Sequence, residues 1–228
     1  MIAAAAPLAD DWLSRPIVLV VALAVVSVLP FVFMTLTSFV KISTVLQIVR
    51  SAIGAQGVPS GTVIMALAGA LTVVAMAPVG ETIVARLSPL LAARETPDNL
   101  AALRQGIDAV REPMRDFLRA NASTTERARF LDVARRARPE GERDALHSDD
   151  WIVLVPAFIV TELGEAFAAG FLIYLPFLII DLVISNVLLA LGMQMMSPSQ
   201  VSLPFKLLLF VAIDGWGLLA QSLVGGYR

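Results

Sequence analysis

Long uncharged stretches dominate both ends of this chain. No charged residue occurs in Pro16–Val40, Ser51–Gly80 or Leu182–Phe205. A helix needs about 20 apolar residues to cross a bilayer, so each stretch is long enough. The pattern predicts an all-α protein of membrane-type helices that flank a more polar middle region.

The N-terminal apolar region, residues 1–87, predicts a helical hairpin. Its first helix is expected over about 16–50, with a kink at Pro30 because proline cannot continue the backbone hydrogen bonds. Glycines and a proline at 54–59 predict a turn. A second helix is expected over about 59–87.

Residues 88–150 form a charged middle region. From Arg86 to Asp150 the chain has 12 arginines and 12 acidic residues, whereas the whole chain has 17 basic and 19 acidic residues. The equal numbers of both signs indicate a solvated helix surface. They argue against nucleic-acid binding, which needs clustered positive charge.

Two amphipathic helices are predicted within this middle region. Apolar residues recur at steps of three and four from Leu100 to Phe117, which places them on one helix face. Pro113 is expected to bend or restart this helix. Ser123 and Glu126 fit a capping box for a second helix that ends near residue 137.

The C-terminal apolar region, residues 151–228, predicts kinked helices. The block Trp151–Met193 is too long for one ordinary helix, and Pro156 and Pro176 interrupt it. We therefore predict two helices or one strongly bent hairpin here. After a glycine and a Ser-Pro pair, a last helix is expected over about 204–227.

Six charged residues lie in or beside the apolar stretches, where an unpaired charge is costly. They could line an ion or substrate path, pair between helices or subunits, or lie near lipid headgroups. Glu162 and Glu165 share a helix face, but no histidine joins them to form a metal motif. The six candidates are Lys41, Glu162, Glu165, Asp181, Lys206 and Asp214.

Three methionines lie in a loop between two predicted helices. Met193, Met195 and Met196 surround Gln194, and a glycine and a proline bound the segment. Methionine is flexible and polarisable, so a ring of such side chains can close around irregular shapes and reopen. The alternative is that these side chains only fill gaps in the core.

Composition excludes several function classes. The chain is 57% hydrophobic and 16% charged, whereas soluble domains are about 45–50% apolar and about 25% charged. It has no cysteine and one histidine, so neither a disulfide nor a histidine-rich metal site is predicted. No phosphate loop, zinc-protease motif or serine nucleophile elbow occurs. We therefore expect neither an enzyme nor a bound cofactor or metal.

Three long strings resemble one protein family. MTLTSFVKISTVLQIVRSAIGAQGVPS (Met34–Ser60), GFLIYLPFLIIDLVISNVLLALGM (Gly170–Met193) and SPSQVSLPFKLLLFVAIDGW (Ser197–Trp216) are similar to the R subunit of the type III secretion export gate, the SctR family. Its flagellar relative is the P subunit, FliP. The form Phe39-Val40-Lys41-Ile42 is closer to the injectisome branch than to the flagellar branch.

This resemblance implies a core subunit of the entry channel through which unfolded proteins cross the bacterial inner membrane. About five copies would form a helical ring completed by S and T subunits, next to the export-gate U and V subunits. Secreted proteins would pass through it, with energy supplied by partner proteins. The helices would lie within the secretion-system base and face the periplasm.

The resemblance also implies roles for particular residues. Met193, Met195 and Met196 match a methionine-rich loop that acts as a gasket around the pore. Gln194 departs from the uninterrupted methionines of relatives, which would loosen or reshape the seal. Glu162 lies in a Thr-Glu-Leu string of the family and becomes a candidate for an intersubunit contact.

Two other functions stay open from the residues alone. A small secondary carrier or ion channel would use the buried acidic residues, although a carrier usually has two related halves and these halves are not visibly alike. A structural membrane anchor is the third possibility. Lys41 and Arg50, near the first turn, favour a cytoplasmic position for that turn and therefore a periplasmic middle region.

Overall fold

The computed structural model describes residues 11–55, 57–92, 99–193 and 195–227. Over these residues the regular secondary structure is helical, which confirms the predicted all-α class. A short 3₁₀ turn, Glu140–Glu142, follows the sixth of the described α-helices. These α-helices are α1 (Asp11–Leu36), α2 (Phe39–Ile53), α3 (Gly61–Ala75), α4 (Ala77–Ala92), α5 (Asn99–Asn121), α6 (Thr124–Arg136), α7 (Trp151–Ala190), α8 (Pro198–Ala212) and α9 (Gly215–Gly225).

The first apolar segment breaks at Thr37 and Ser38, so the single helix predicted over about 16–50 is two helices. Helix α1 continues through Pro30, and its last part, Val26–Leu36, makes an angle of 68° with α2. The Thr37 hydroxyl donates to the Phe33 carbonyl at 2.5 Å and accepts from the Phe39 N–H at 3.3 Å. The side chain thereby replaces backbone hydrogen bonds, which ends the helix.

The second segment is also broken into two helices. Helices α3 and α4 meet at Met76 with a bend of 55°. The Ser60 side chain accepts a hydrogen bond from the Val63 N–H and so caps α3. The predicted turn before it is confirmed: Gly54 has a φ of 75° and ends α2 in the left-handed conformation that glycine adopts freely.

The prediction of two helices or a bent hairpin over 151–193 was wrong. Helix α7 is a single helix of 40 residues, or about 60 Å at 1.5 Å per residue. It contains Pro156 and Pro176. A proline removes one backbone hydrogen bond, and packing against neighbouring helices can hold such a helix together. Both the length of the apolar block and its prolines therefore misled the prediction.

The two predicted helices of the middle region are present. The Ser123 side chain caps α6 by accepting from the Glu126 N–H at 3.3 Å, which is one half of the predicted capping box. The Ser123 N–H donates to the Thr161 hydroxyl at 3.0 Å and not to Glu126. Helix α5 continues through Pro113, so the expected restart there does not occur. The Thr96-Pro97-Asp98 start expected for this helix lies outside the described residues.

Helix α7 is the axis of the packing. Helix α2 lies along it, α5 and α6 pack against its first half, and α8 packs against its second half. One core cluster centres on α2 and includes Ile42, Val45 and Leu46; the other joins α5 to α7 through Phe117 and Phe158. Helices from all three regions of the sequence thus contact α7.

Gly170 allows α2 and α7 to pack closely. A Cβ atom at this position would lie 2.5 Å from Ile48 Cδ1, far inside van der Waals contact. Glycine inside a helix lowers the stability of the fold by roughly 0.5–1 kcal/mol relative to alanine. The close contact with Ile48 explains why glycine is present here.

We therefore expect Gly170→Ala to lower the stability of the folded chain by about 1–3 kcal/mol, the usual range for overpacking. Gly164→Ala is the matched control, because no neighbouring atom lies within 4 Å of a Cβ there. That control should be neutral or stabilising. Thermal unfolding of both variants in detergent tests the contact, and equal midpoints would contradict it. Gly170→Ala with Ile48→Val should recover part of the loss.

Candidate functional site

The methionine loop joins α7 to α8 and is exposed. Helix α7 ends at a C-cap at Leu191, and Gly192 follows with a φ of 71°. In the isolated chain Met195 is 100% exposed, and Met193 and Met196 are 41% and 44% exposed. Gln194 lies outside the described residues. Met195 is therefore uncovered within the chain and the other two are partly covered, which is unusual for core filler.

A buried ion pair joins the two helices on either side of this loop. Lys206 of α8 is 5% exposed, and its Nζ donates to Asp181 of α7 at 2.6 Å and to the Ala52 carbonyl at 3.1 Å. The Ser202 hydroxyl donates to the other Asp181 oxygen at 2.6 Å. Two candidates from the sequence are thus partners, and they fix α7, α8 and α2 relative to one another.

A second polar cluster lies where α2, α7 and the end of α9 meet. Glu162 is 1% exposed and accepts a hydrogen bond from the Tyr227 hydroxyl. One helical turn away, Glu165 pairs with Lys41 at 2.5 Å. The Lys41 Nζ also lies 5.1 Å from the centroid of the Tyr227 ring, within range of a cation–π contact.

Glu162 thus has a partner inside the chain, and the predicted contact with a neighbouring subunit is not needed to satisfy it. Burial, and then the neighbouring Glu162, raises the pKa of the Tyr227 phenol above its ordinary value. The phenol therefore keeps its proton and acts as the donor. Glu165 is the more accessible of the two acids, with a side chain 54% exposed.

Asp214 takes no part in either cluster. It is exposed and lies at the bend of 58° between α8 and α9. The single last helix predicted over about 204–227 was therefore wrong, because this segment forms two helices that begin at Pro198. Its φ of 51° is in the left-handed region, which aspartate tolerates better than most residues. Gly217 leaves room for its side chain, because a Cβ there would lie 2.4 Å from an Asp214 carboxylate oxygen.

The sequence singled out Lys41, Glu162, Glu165, Asp181 and Lys206 but gave no sign of how they pair. Asp181 and Lys206 are far apart in the chain, and their pairing depends on the antiparallel packing of α7 and α8. Ser202 and Tyr227 were not predicted as part of these clusters. Over the described residues, no group of three or more His, Cys, Asp or Glu side chains comes together as a metal site.

Large apolar surfaces remain uncovered outside these clusters. Helix α1 exposes more than half of Leu19, Val20 and Leu23, and α7 does the same with Phe167 and Phe171. An open apolar groove of about 1100 Å³ lies between α1 and α5. Contiguous apolar surface on this scale marks contact with lipid or with other proteins.

Helix lengths permit membrane crossing at several places. Within the described residues, α7 alone is long and apolar enough to span a bilayer as one helix. The pairs α1–α2, α3–α4 and α8–α9 would each qualify as a bent span, for up to four in total. Such broken helices occur at membrane depth where protein surrounds them or they line a cavity.

Comparisons with known proteins agree across nearly the whole chain. The FliP family model matches residues 22–223. The hypersensitivity response secretion protein HrcR of Ralstonia nicotianae is 42% identical over 92% of this chain and 96% of its own length. The Yop proteins translocation protein R of Yersinia pestis is 43% identical, covering 92% of this chain and 95% of its own. The flagellar biosynthetic protein FliP of Bacillus subtilis is 37% identical over 94% of this chain and 93% of its own length. The family match includes the methionine loop, the Lys206–Asp181 pair and the three charged residues of the second cluster, whereas Tyr227 lies beyond it. The chain belongs to the FliP family.

Proposed function

We propose that this chain is the R subunit of a type III secretion export apparatus. The observation that carries the proposal is the near full-length similarity to two proteins whose names describe secretion or translocation. These identities of 42% and 43% exceed the 37% to the flagellar relative, which favours the injectisome branch. Deleting the gene should abolish secretion of injectisome substrates, and a plasmid copy should restore it. Normal secretion in the deletion strain would contradict the proposal.

We further propose that about five copies form a ring whose centre is the entry channel for unfolded proteins. The uncovered apolar faces of α1, α7 and α8 mark contact with lipid or with other proteins, and the bent helix pairs favour a setting surrounded by protein. Partners of the ring would be the export-gate S, T, U and V subunits. The chain would act without its own catalytic activity, cofactor or metal.

The methionine loop is the proposed gasket of this channel. Met193, Met195 and Met196 are exposed at the turn between two long helices, where copies in a ring would bring them together. Their apolar side chains would exclude water from a closed pore, and their rotatable bonds would let them repack around different cargo. The Lys206–Asp181 pair would hold together the two helices that carry the loop.

A secondary carrier or ion channel gains no support from the acidic residues. Glu162, Glu165 and Asp181 each have a partner inside the chain, in Tyr227, Lys41 and Lys206 respectively. Such pairing favours a structural role, since each carboxyl group already has a partner within the chain.

The proposed location is the inner membrane within the secretion-system base, with the charged middle region on the periplasmic side. A cysteine at Glu140 should then react with a membrane-impermeant maleimide in cells whose outer membrane alone is permeabilised. Glu140 is the best site because its side chain is 91% exposed, whereas Asn121 and Ser123 are partly covered. A cysteine at Ser51, near the predicted cytoplasmic turn, is the control. Labelling of Glu140→Cys only after the inner membrane is breached would contradict this topology.

A further inference from the structure

Tyr227 connects the end of the chain's last described helix to three other helices. Its hydroxyl donates to Glu162 of α7 and lies 3.2 Å from the Ser38 carbonyl oxygen at the start of α2. Its ring stacks on Phe117 of α5, with the centroids 6.0 Å apart and the planes inclined by 27°. Tyr227 also borders both hydrophobic clusters. This one side chain therefore joins α9 to α2, α5 and α7.

The surroundings of Tyr227 make this junction specific. Glu162 is 1% exposed, so its carboxyl group has little access to water and depends on protein donors. The Lys41 Nζ lies over the Tyr227 ring and forms an ion pair with Glu165. Few other side chains could fill this place, because it requires an aromatic ring and a hydroxyl donor at its end.

The segment that begins at the methionine loop is fastened at two places. Helix α8 starts at Pro198, directly after the loop, and Lys206 ties it to α7. Helix α9 continues after a bend of 58° and packs against α3 and α8. At the other end of the segment, after α9, Tyr227 contacts α2, α5 and α7.

We propose that Tyr227 is a positioning residue for the gate: by fastening the end of α9 it fixes the α8–α9 pair and keeps the methionine loop in its sealing position. The effect on sealing rests on the proposed function of that loop. The fastening itself rests only on the contacts of Tyr227. The two claims can therefore be tested separately.

Tyr227→Phe is the informative variant because it keeps the ring and removes only the hydroxyl. The chain has no cysteine, so spin labels can be placed uniquely. Labels at the exposed positions Ala120 of α5 and Ser222 of α9 report on the junction, and labels at Ser51 and Ala168 report on the α2–α7 pair as a control. Distances would be measured by double electron–electron resonance in the full chain assembled with its partners, with labelled chain diluted into unlabelled chain so that each assembly holds about one labelled copy.

In Tyr227→Phe we expect a broadened distance distribution between positions 120 and 222, an unchanged distribution for the control pair, and increased leak of small solutes in resting cells. Glu162→Gln keeps an acceptor for the hydroxyl and should preserve the narrow distribution. If Tyr227→Phe assembles poorly, Tyr227→Phe with Glu162→Met removes the unpaired carboxyl group. That double variant should assemble and still show the broad distribution.

An unchanged 120–222 distribution in the variant that assembles would overturn the fastening role. A broad distribution without increased leak would overturn the role in positioning the gate. The variant with all three loop methionines replaced by alanine is measured alongside. If cells with this triple variant do not leak either, the proposed gasket function is contradicted. The distance measurement still decides whether Tyr227 fastens α9.

Discussion

Cells that carry the triple variant Met193→Ala, Met195→Ala and Met196→Ala should leak ions and small solutes at rest, several-fold more than cells with the unaltered protein. The three side chains are 41–100% exposed in the isolated chain, so shortening them removes little from its core. Folding and assembly should therefore be preserved. The seal should fail because alanine is too short to fill the centre of a ring and exclude water.

Conductance or small-solute uptake in cells that express the assembled gate measures this effect. Met34→Ala with Met65→Ala is the matched control, because these methionines are 44% and 37% exposed but lie outside the loop. The control should not leak. Normal leak in the triple variant, together with normal assembly, would place the seal elsewhere.

Gln194→Met gives a companion result in the same assay. It would complete a run of four methionines, and a gasket of this kind should then close more tightly or stay unchanged. A leakier gate would count against the gasket.

Lys206→Met should strongly destabilise the folded chain. Removing one partner of a buried ion pair typically costs about 3–5 kcal/mol, because the other charge stays buried without compensation. Here Asp181 would keep only the Ser202 hydroxyl, and the Ala52 carbonyl would lose its donor. We expect the lower end of that range, since the Asp181 side chain is 30% exposed.

Two comparisons separate this buried pair from ordinary surface charge. Arg136→Ala breaks a pair of similar length, 2.8 Å, whose side chains are 78% and 58% exposed, and it should change stability by less than about 1 kcal/mol. Lys206→Met with Asp181→Leu removes both charges and should recover much of the loss. Unfolding midpoints in detergent measure the stability of all three variants. Equal midpoints for Lys206→Met and Arg136→Ala would contradict the stabilising role of the buried pair.

The sequence predicted the helical class, the turn after α2 and the cap of α6, because each depends on nearby residues. Ser123 and Glu126, for example, are three residues apart and meet within one helical turn. The resemblance also led to the correct family. Local chemistry was a poorer guide where tertiary packing decides: Pro30, Pro113, Pro156 and Pro176 all lie inside continuous helices.

The pairing of charged residues was beyond prediction from the sequence for a related reason. Uncharged surroundings singled out Glu162, Asp181 and Lys206, but their partners depend on which helices become neighbours. Tyr227 had no distinguishing signal, since its role comes from the meeting of α2, α5, α7 and α9 at one place. The break at Thr37 is a different case, because its hydroxyl bonds locally, to its own helix, and the same bond at Thr35 and Thr44 does not end a helix.

The central claim is that several copies of this chain assemble as the ring of an export gate. Native mass spectrometry of the chain purified together with its S and T partners tests this most directly, because the mass gives the copy number of each subunit. The account predicts a particle that contains about five copies of this chain. A stable particle that contains a single copy, with the partners present, would contradict it.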